Sequence, residues 1–261
     1  MTAGEAQILI NPTLDALMQT AATGIADAAR TAIAAHGTFS IALSGGSTPR
    51  TLYELLATPA MAGDIAWEHV HVFWGDERHA GPNDAESNYR MAREALLDKV
   101  ALPPANIHRI PAELPDPETV AVAYADDLRR AFNLEPGEFP RLDLILLGMG
   151  DDGHTASLFP HSAALQERTR LVLANPVPKL DTTRITLSVP TINNAARIWF
   201  LITGGSKAAV LKAVLEGPEQ PDTYPSQLIS PVDGELVLLL DTMAAAALSP
   251  GLRQSAMAGL G

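Results

Sequence analysis

The sequence predicts a doubly wound α/β fold, a mainly parallel, Rossmann-like sheet with helices on both faces. Strand-like and helix-like segments alternate along the chain, and several of the strand-like ones are apolar at every position, the pattern of strands covered on both faces of a sheet. Pro and Gly cluster at 111–117, 136–140 and 217–225 in stretches too short for flexible linkers, so residues 1–261 are read as a single domain.

The elements follow in order. After Asn11-Pro12-Thr13, apolar and small residues recur at Leu14, Leu17, Met18, Ala21, Ala22, Ile25, Ala28, Ala29, Ala32 and Ile33, the spacing of one buried helical face, and Gly37 suits its left-handed stop. FSIAL (39–43) reads as a strand, and SGGSTP leads into a helix over 49–57, with Thr48 as cap and Pro49 in the first position. HVHVFW (69–74) is the next strand; a long polar loop follows, and Ser87-Asn88 cap a helix over 88–97. The alternation continues through IHRI (107–110), a helix within 117–132, LDLILL (142–147), RITLS (184–188), IWFLIT (198–203), a helix over 206–216 and ELVLLLD (235–241).

Composition limits the function classes. With 47% hydrophobic residues, a chain of 261 can bury a large core. Cysteine is absent, which excludes disulfides and thiolate chemistry and suits a reducing compartment. MTAGEAQILI lacks a basic segment followed by a long apolar run, and no window reaches the length of a membrane span, so a soluble, cytoplasmic protein without membrane partners is expected. A net charge of -12 disfavours nucleic acid as a partner, and any anionic ligand must be captured by local donors at one spot. No extended apolar patch is legible, so a monomer is expected.

In such sheets ligands sit beyond the carboxyl ends of the strands, which directs attention to the loops after 43, 74, 147 and 203. The first offers Ser44, Gly45, Gly46, Ser47 and Thr48. Its glycines let the backbone turn and approach a ligand, and free N–H groups at the following helix start make an anion site; an ordinary tight turn is the plain alternative. Neither the P-loop nor the GxGxxG spacing is present, which disfavours nucleotides. TGGSK places Lys207 in a first helical turn against the dipole, a placement that a bound phosphate explains and a solvent-directed lysine explains equally.

GDER sets Asp76, Glu77 and Arg78 directly after a strand. Arg78 can grip phosphate or carboxylate, Asp76 can orient a base, an arginine or a substrate hydroxyl, and Glu77 can pin the long loop by ion pairs. GMGDDGHTASLFP places His154 after Asp151, Asp152 and Gly153 at the end of a buried strand, where an imidazole can act as general base while a carboxylate holds its tautomer; a satisfied structural histidine is the alternative. Asp151, Asp152, His154 and His161 are metal-ligand types but match no zinc signature, and Ser157 lacks the GxSxG context of a nucleophile.

Taken together, SGGSTPRTLYELL, GDER followed by ESNYR, LLGMGDDGHTASLFP, RITLSVPTINNAARIWFLITGGSKAAVL and ISPVDGELVLLLD resemble the 6-phosphogluconolactonase family, in the right order from about residue 40 to 241. The GMGxDGHTASLFP stretch is the most specific. The resemblance implies a Rossmann-like domain shared with glucosamine-6-phosphate deaminases and sugar-phosphate-sensing regulators. It also implies hydrolysis of 6-phospho-D-glucono-1,5-lactone, a small-molecule sugar-phosphate lactone, in the oxidative pentose phosphate pathway, with no metal or organic cofactor. By motif it makes His154 the group that activates water, with Arg78 the arginine of the DER motif and Lys207 and the 44–48 loop as phosphate holders; from its place beside the sheet in RITLS, Arg184 is expected as a further ligand contact. The chain departs from the family pattern at His79, Ala80 and Gly81, at Asp84 where a histidine is frequent, and at Val237 where a tryptophan is common.

Either Asp152 or Asp76 is expected to orient His154, and Arg78 or loop amides to meet the charge on oxygen when water attacks C1. Two rivals differ in named residues. The deaminases follow their histidine with a stretch like IAFNEP, whose glutamate pairs with it, whereas TASLFP here has Phe159 near that place. The regulators carry a DNA-binding helix-turn-helix in front, whereas this chain has one Ala-rich helix and no basic recognition segment.

Overall fold

The computed structural model describes residues 6–258. Its elements are β1 (Gln7–Asn11), α1 (Leu14–His36), β2 (Phe39–Leu43), α2 (Ser47–Leu56), α3 (Pro59–Ala62), β3 (Val70–Trp74), β4 (Asp76–Arg78) and α4 (Asn88–Ala95). They continue with α5 (Pro117–Phe132), β5 (Leu144–Leu147), β6 (Val172–Val177), β7 (Thr182–Leu187), α6 (Val189–Asn193), β8 (Arg197–Ile202), α7 (Ala208–Glu216), β9 (Glu235–Asp241) and α8 (Pro250–Ala258).

Local signals act where they stand. Thr13 accepts a hydrogen bond from the Ala16 N–H at 3.1 Å to open α1, and Gly37, at φ 89°, closes it with its N–H on the Ile33 carbonyl. Between them Ala21, Ala22, Ala28, Ala29 and Ala32 form a small, buried face beside Leu17 and Ile25. Asp116 and Ser87 cap α5 and α4 in the same way.

Six strands form a wholly parallel sheet in the order β1-β9-β8-β5-β2-β3, flanked by helices. From β2 the chain steps outward to β3, whereas from β5 it steps the other way to β8 and β9. The connections therefore diverge between β2 and β5, the switch point at which such a sheet opens a crevice. Both strands are buried along their length, as their unbroken apolar runs require.

The structure corrects several expectations. RITLS does not join the parallel sheet: it is the centre of a separate three-stranded antiparallel sheet, β4-β7-β6. IHRI makes only a single parallel bridge, Ile107 to Val72, and is no strand. β1, β4 and β6 were not anticipated. α2 begins at Ser47 with Gly46 (φ 108°) at its N-cap, so Thr48 does not cap it; the Thr48 hydroxyl instead lies 2.8 Å from that of Thr203, and Pro49 is the third helical residue. The helix expected from 206 opens with a tight turn, Gly205–Lys207, in which Ser206 makes no capping bond.

Gly75 joins the two sheets. Its N–H donates to the Leu43 carbonyl and its own carbonyl accepts from Leu187, both at 2.9 Å, linking β2 of one to β7 of the other. A continuous apolar cluster includes Leu144 and Phe200 of the large sheet and Ile185 and Leu187 of the small one. Among the described residues no helix is long and apolar enough to cross a membrane.

Candidate active site

A cavity of about 370 Å³ lies at the β2–β5 switch point. Two buried phenols clasp the backbone at the ends of β2 and β3. The Tyr53 hydroxyl accepts from the Ser44 N–H at 3.0 Å and donates to the Ser44 carbonyl at 2.9 Å, and Tyr124 clasps Trp74 in the same fashion, at 2.9 and 3.0 Å. The strands that feed the site therefore end at fixed points. Gly45 is required by contact, since a Cβ there would lie 1.9 Å from the Asn88 side-chain oxygen.

His154 reaches the cavity from the loop after β5. Its Nδ1 lies 2.5 Å from Asp152 Oδ1, which also accepts the His154 backbone N–H at 3.2 Å. With Nδ1–H donated to the carboxylate, the tautomer assigned by this bonding leaves the Nε2 lone pair free. The loop is drawn tight by the Gly150 N–H on the His154 carbonyl at 2.8 Å, and a Cβ on Gly150 would sit 2.1 Å from Nδ1. Phe159 packs against the imidazole with ring centres 4.4 Å apart. Partial burial pushes the Asp152 carboxyl up, but hydrogen bonds from Lys179 and His154 outweigh it and hold the group well below the usual carboxylate range.

On the small sheet, Arg78 and Arg184 are direct cross-strand partners, and both line the cavity. Neither forms an ion pair among the described residues. Arg78 donates to the Glu86 carbonyl, while Arg184 Nε is buried without a partner. Burial, and then the charge of Arg78, push the Arg184 guanidinium down. Like charges set directly opposite each other on neighbouring strands are unfavourable, so the pair stores an unmet demand for an anion. Ser44 Oγ is likewise buried in the cavity wall without a partner.

The remaining predicted residues divide. Asp76 lines the cavity, but it accepts from Ser157 Oγ at 2.6 Å and holds Asn88 through its carbonyl at 3.0 Å, so Asp152, not Asp76, orients His154. Glu77 accepts the Arg78, Asn88 and Tyr89 amides and the Ser87 hydroxyl, pinning the loop by hydrogen bonds instead of ion pairs. Ser44, Gly45 and Lys207 line the main cavity. Gly46, Ser47 and Thr48 line an adjoining one of about 180 Å³, whose wall also includes Gly45 and Lys207. Lys207 Nζ lies 2.5 Å from Asp151 Oδ1, a solvent-facing carboxylate that an incoming anion can displace. Sequence reasoning missed Asn88, read as a cap, and Lys179 and Leu180, which sit in a short turn with no motif to mark them. Among the described residues no three His, Asp or Glu side chains converge as a metal cage.

The switch-point crevice of this doubly wound α/β protein thus holds an imidazole–carboxylate pair and two guanidiniums that have no carboxylate partner among the described residues. A sequence model of the family described as glucosamine-6-phosphate isomerases/6-phosphogluconolactonase matches residues 12–238, and the chain belongs to that family. It is 44% identical to a 6-phosphogluconolactonase of Synechocystis over 95% of this chain and 100% of the relative. A Nostoc 6-phosphogluconolactonase is 48% identical over 84% of this chain and 88% of its own. The solved 6-phosphogluconolactonase from Trypanosoma cruzi superimposes with a TM-score of 0.82 at 29% identity, covering 95% of this chain and 98% of that one.

Proposed function

We propose that this chain hydrolyses 6-phospho-D-glucono-1,5-lactone to 6-phosphogluconate, with His154 as general base and the phosphate held by Arg78, Arg184, Lys207 and the 44–48 loop. The observation that carries this reading is the pairing, in one cavity, of a free imidazole Nε2 with two cross-strand guanidiniums that have no counter-ion. A lactone is an activated ester, so neither a covalent nucleophile nor a metal is needed.

In this mechanism Nε2 takes a proton from water as its oxygen attacks C1. The imidazolium that forms is stabilised by Asp152. Charge developing on the C1 oxygen is met by donors of the cavity wall, among them the unpaired Ser44 hydroxyl or a guanidinium. When the tetrahedral intermediate collapses, the C1 to ring-oxygen bond breaks, and the imidazolium returns its proton to that oxygen. Apolar Phe159 against His154 supports hydrolysis over deamination, because it cannot relay protons as a glutamate does.

The test follows hydrolysis of fresh lactone through coupled oxidation of 6-phosphogluconate. Wild type should accelerate the reaction well beyond buffer, and His154→Gln should lose about a hundredfold to ten-thousandfold in kcat. A wild type that does nothing to the lactone, or that releases ammonia from glucosamine 6-phosphate, overturns the reading.

A further inference from the structure

Lys179 occupies the turn Pro178–Leu180 that joins β6 to β7. Its ammonium contacts Asp152 Oδ2, while His154 Nδ1 holds the other oxygen of the same carboxylate at 2.5 Å. The ammonium also stands 5.2 Å from the centre of the Phe159 ring, which packs against the imidazole. The two groups that flank His154 are thus the two that hold the lysine. Leu180, the next residue, lines the cavity.

We infer that Lys179 is a positioning residue that keeps the His154 imidazole in its neutral, proton-accepting form through the carboxylate they share. A carboxylate bonded to Nδ1 alone favours the imidazolium, whose charge it compensates. An ammonium on the second oxygen removes much of that compensation and repels the imidazolium directly. The other charged groups around the cavity are committed elsewhere. Lys207 is paired with Asp151, Asp76 is bonded to Ser157 and Asn88, and Arg78 and Arg184 await an anion that will neutralise them. Of the cations named, only Lys179 is fixed to the base's own partner, so its influence persists when the site is loaded.

The inference rests on the proposed role of His154 as base, and its test separates the two. Lys179→Met should move the acid limb of kcat/KM for lactone hydrolysis to higher pH by about half a unit to one unit, and Lys179→Arg should restore it. The displacement should shrink in 1 M salt, roughly the regime of a 3 Å screening length, because Lys179 is largely exposed. In parallel, the His154 ring protons, followed by NMR in the unliganded protein, should titrate at higher pH in Lys179→Met by the same interval. A limb and a ring titration that stay in place while turnover drops at every pH would mean that Lys179 only anchors the turn, and the inference fails. A displaced ring titration in a protein that never turns over lactone would overturn the lactonase reading and leave the coupling between Lys179 and His154 standing.

Discussion

At the scale of single residues, the cavity sets two guanidiniums that form no ion pair among the described residues beside cations and an imidazole already held by carboxylates. Arg184 remains protonated despite its burial, because guanidinium does not lose its proton in proteins, so the cost of facing Arg78 is carried by the unliganded protein. Inorganic phosphate should therefore stabilise the chain, by about 2.7 kcal/mol at a hundred times its Kd, which raises Tm by several degrees at this size. Arg184→Met should lose most of that rise while leaving the phosphate-free Tm unchanged or higher. A full phosphate response in the variant, read by differential scanning fluorimetry, would remove Arg184 from the anion site. That His154, Arg78, Lys207 and Ser44-Gly45 line one cavity was legible in the sequence, because each lies in the stretch that follows an apolar strand. The choice between Asp76 and Asp152 was not legible, since it depends on Ser157 and Asn88 having already taken Asp76.

At the scale of elements, the cavity lies at strand ends, and helix side chains fix the backbone there, Tyr53 from the next helix and Tyr124 from one farther along the chain. Tyr53 on α2 satisfies both backbone groups of Ser44. Tyr53→Phe should leave a buried N–H and C=O unpaired, costing roughly 1–3 kcal/mol in urea unfolding and loosening the 44–46 turn enough to raise KM. An unchanged unfolding midpoint would show that the clasp is not structural. Of the parallel strands, β2, β3, β5, β8 and β9 were readable as apolar runs, and α1 from the 3.6-residue spacing of its apolar face. The small sheet was not. β4 is three charged residues, β6 contains Asn175 and Pro176, and both gain their identity from pairing with β7, about a hundred positions from β4 in the chain. Such pairing is tertiary and leaves no local signature. IHRI shows the converse, an apolar pair of ends that reads as a strand but makes one bridge.

At the scale of the whole molecule, the two sheets divide the work. The parallel sheet supplies His154, Asp152, Ser44 and Lys207 from its strand ends, and the antiparallel sheet supplies Arg78, Arg184 and Lys179. A chain of net charge -12 thereby gathers four of its 18 Lys and Arg residues, two of them paired with Asp151 and Asp152, around one crevice. Long-range repulsion of anions is offset there by local donors, so binding of a phosphate ester should weaken little with salt compared with a protein that steers ligands by its global field.

The two buried phenols have an optical consequence. Burial, the dominant influence, pushes the hydroxyls of Tyr53 and Tyr124 far above the ordinary tyrosine range. In the unfolded chain they ionise near about pH 10, so above that pH each favours unfolding, and stability falls as pH rises. Half of the four tyrosines should thus yield their phenolate absorbance only when the fold is lost. An alkaline difference spectrum becomes a built-in gauge of global unfolding, reported from the ends of β2 and β3 without any added dye or label. Two smooth early ionisations from Tyr53 and Tyr124, with circular dichroism unchanged, would show that these clasps open on their own.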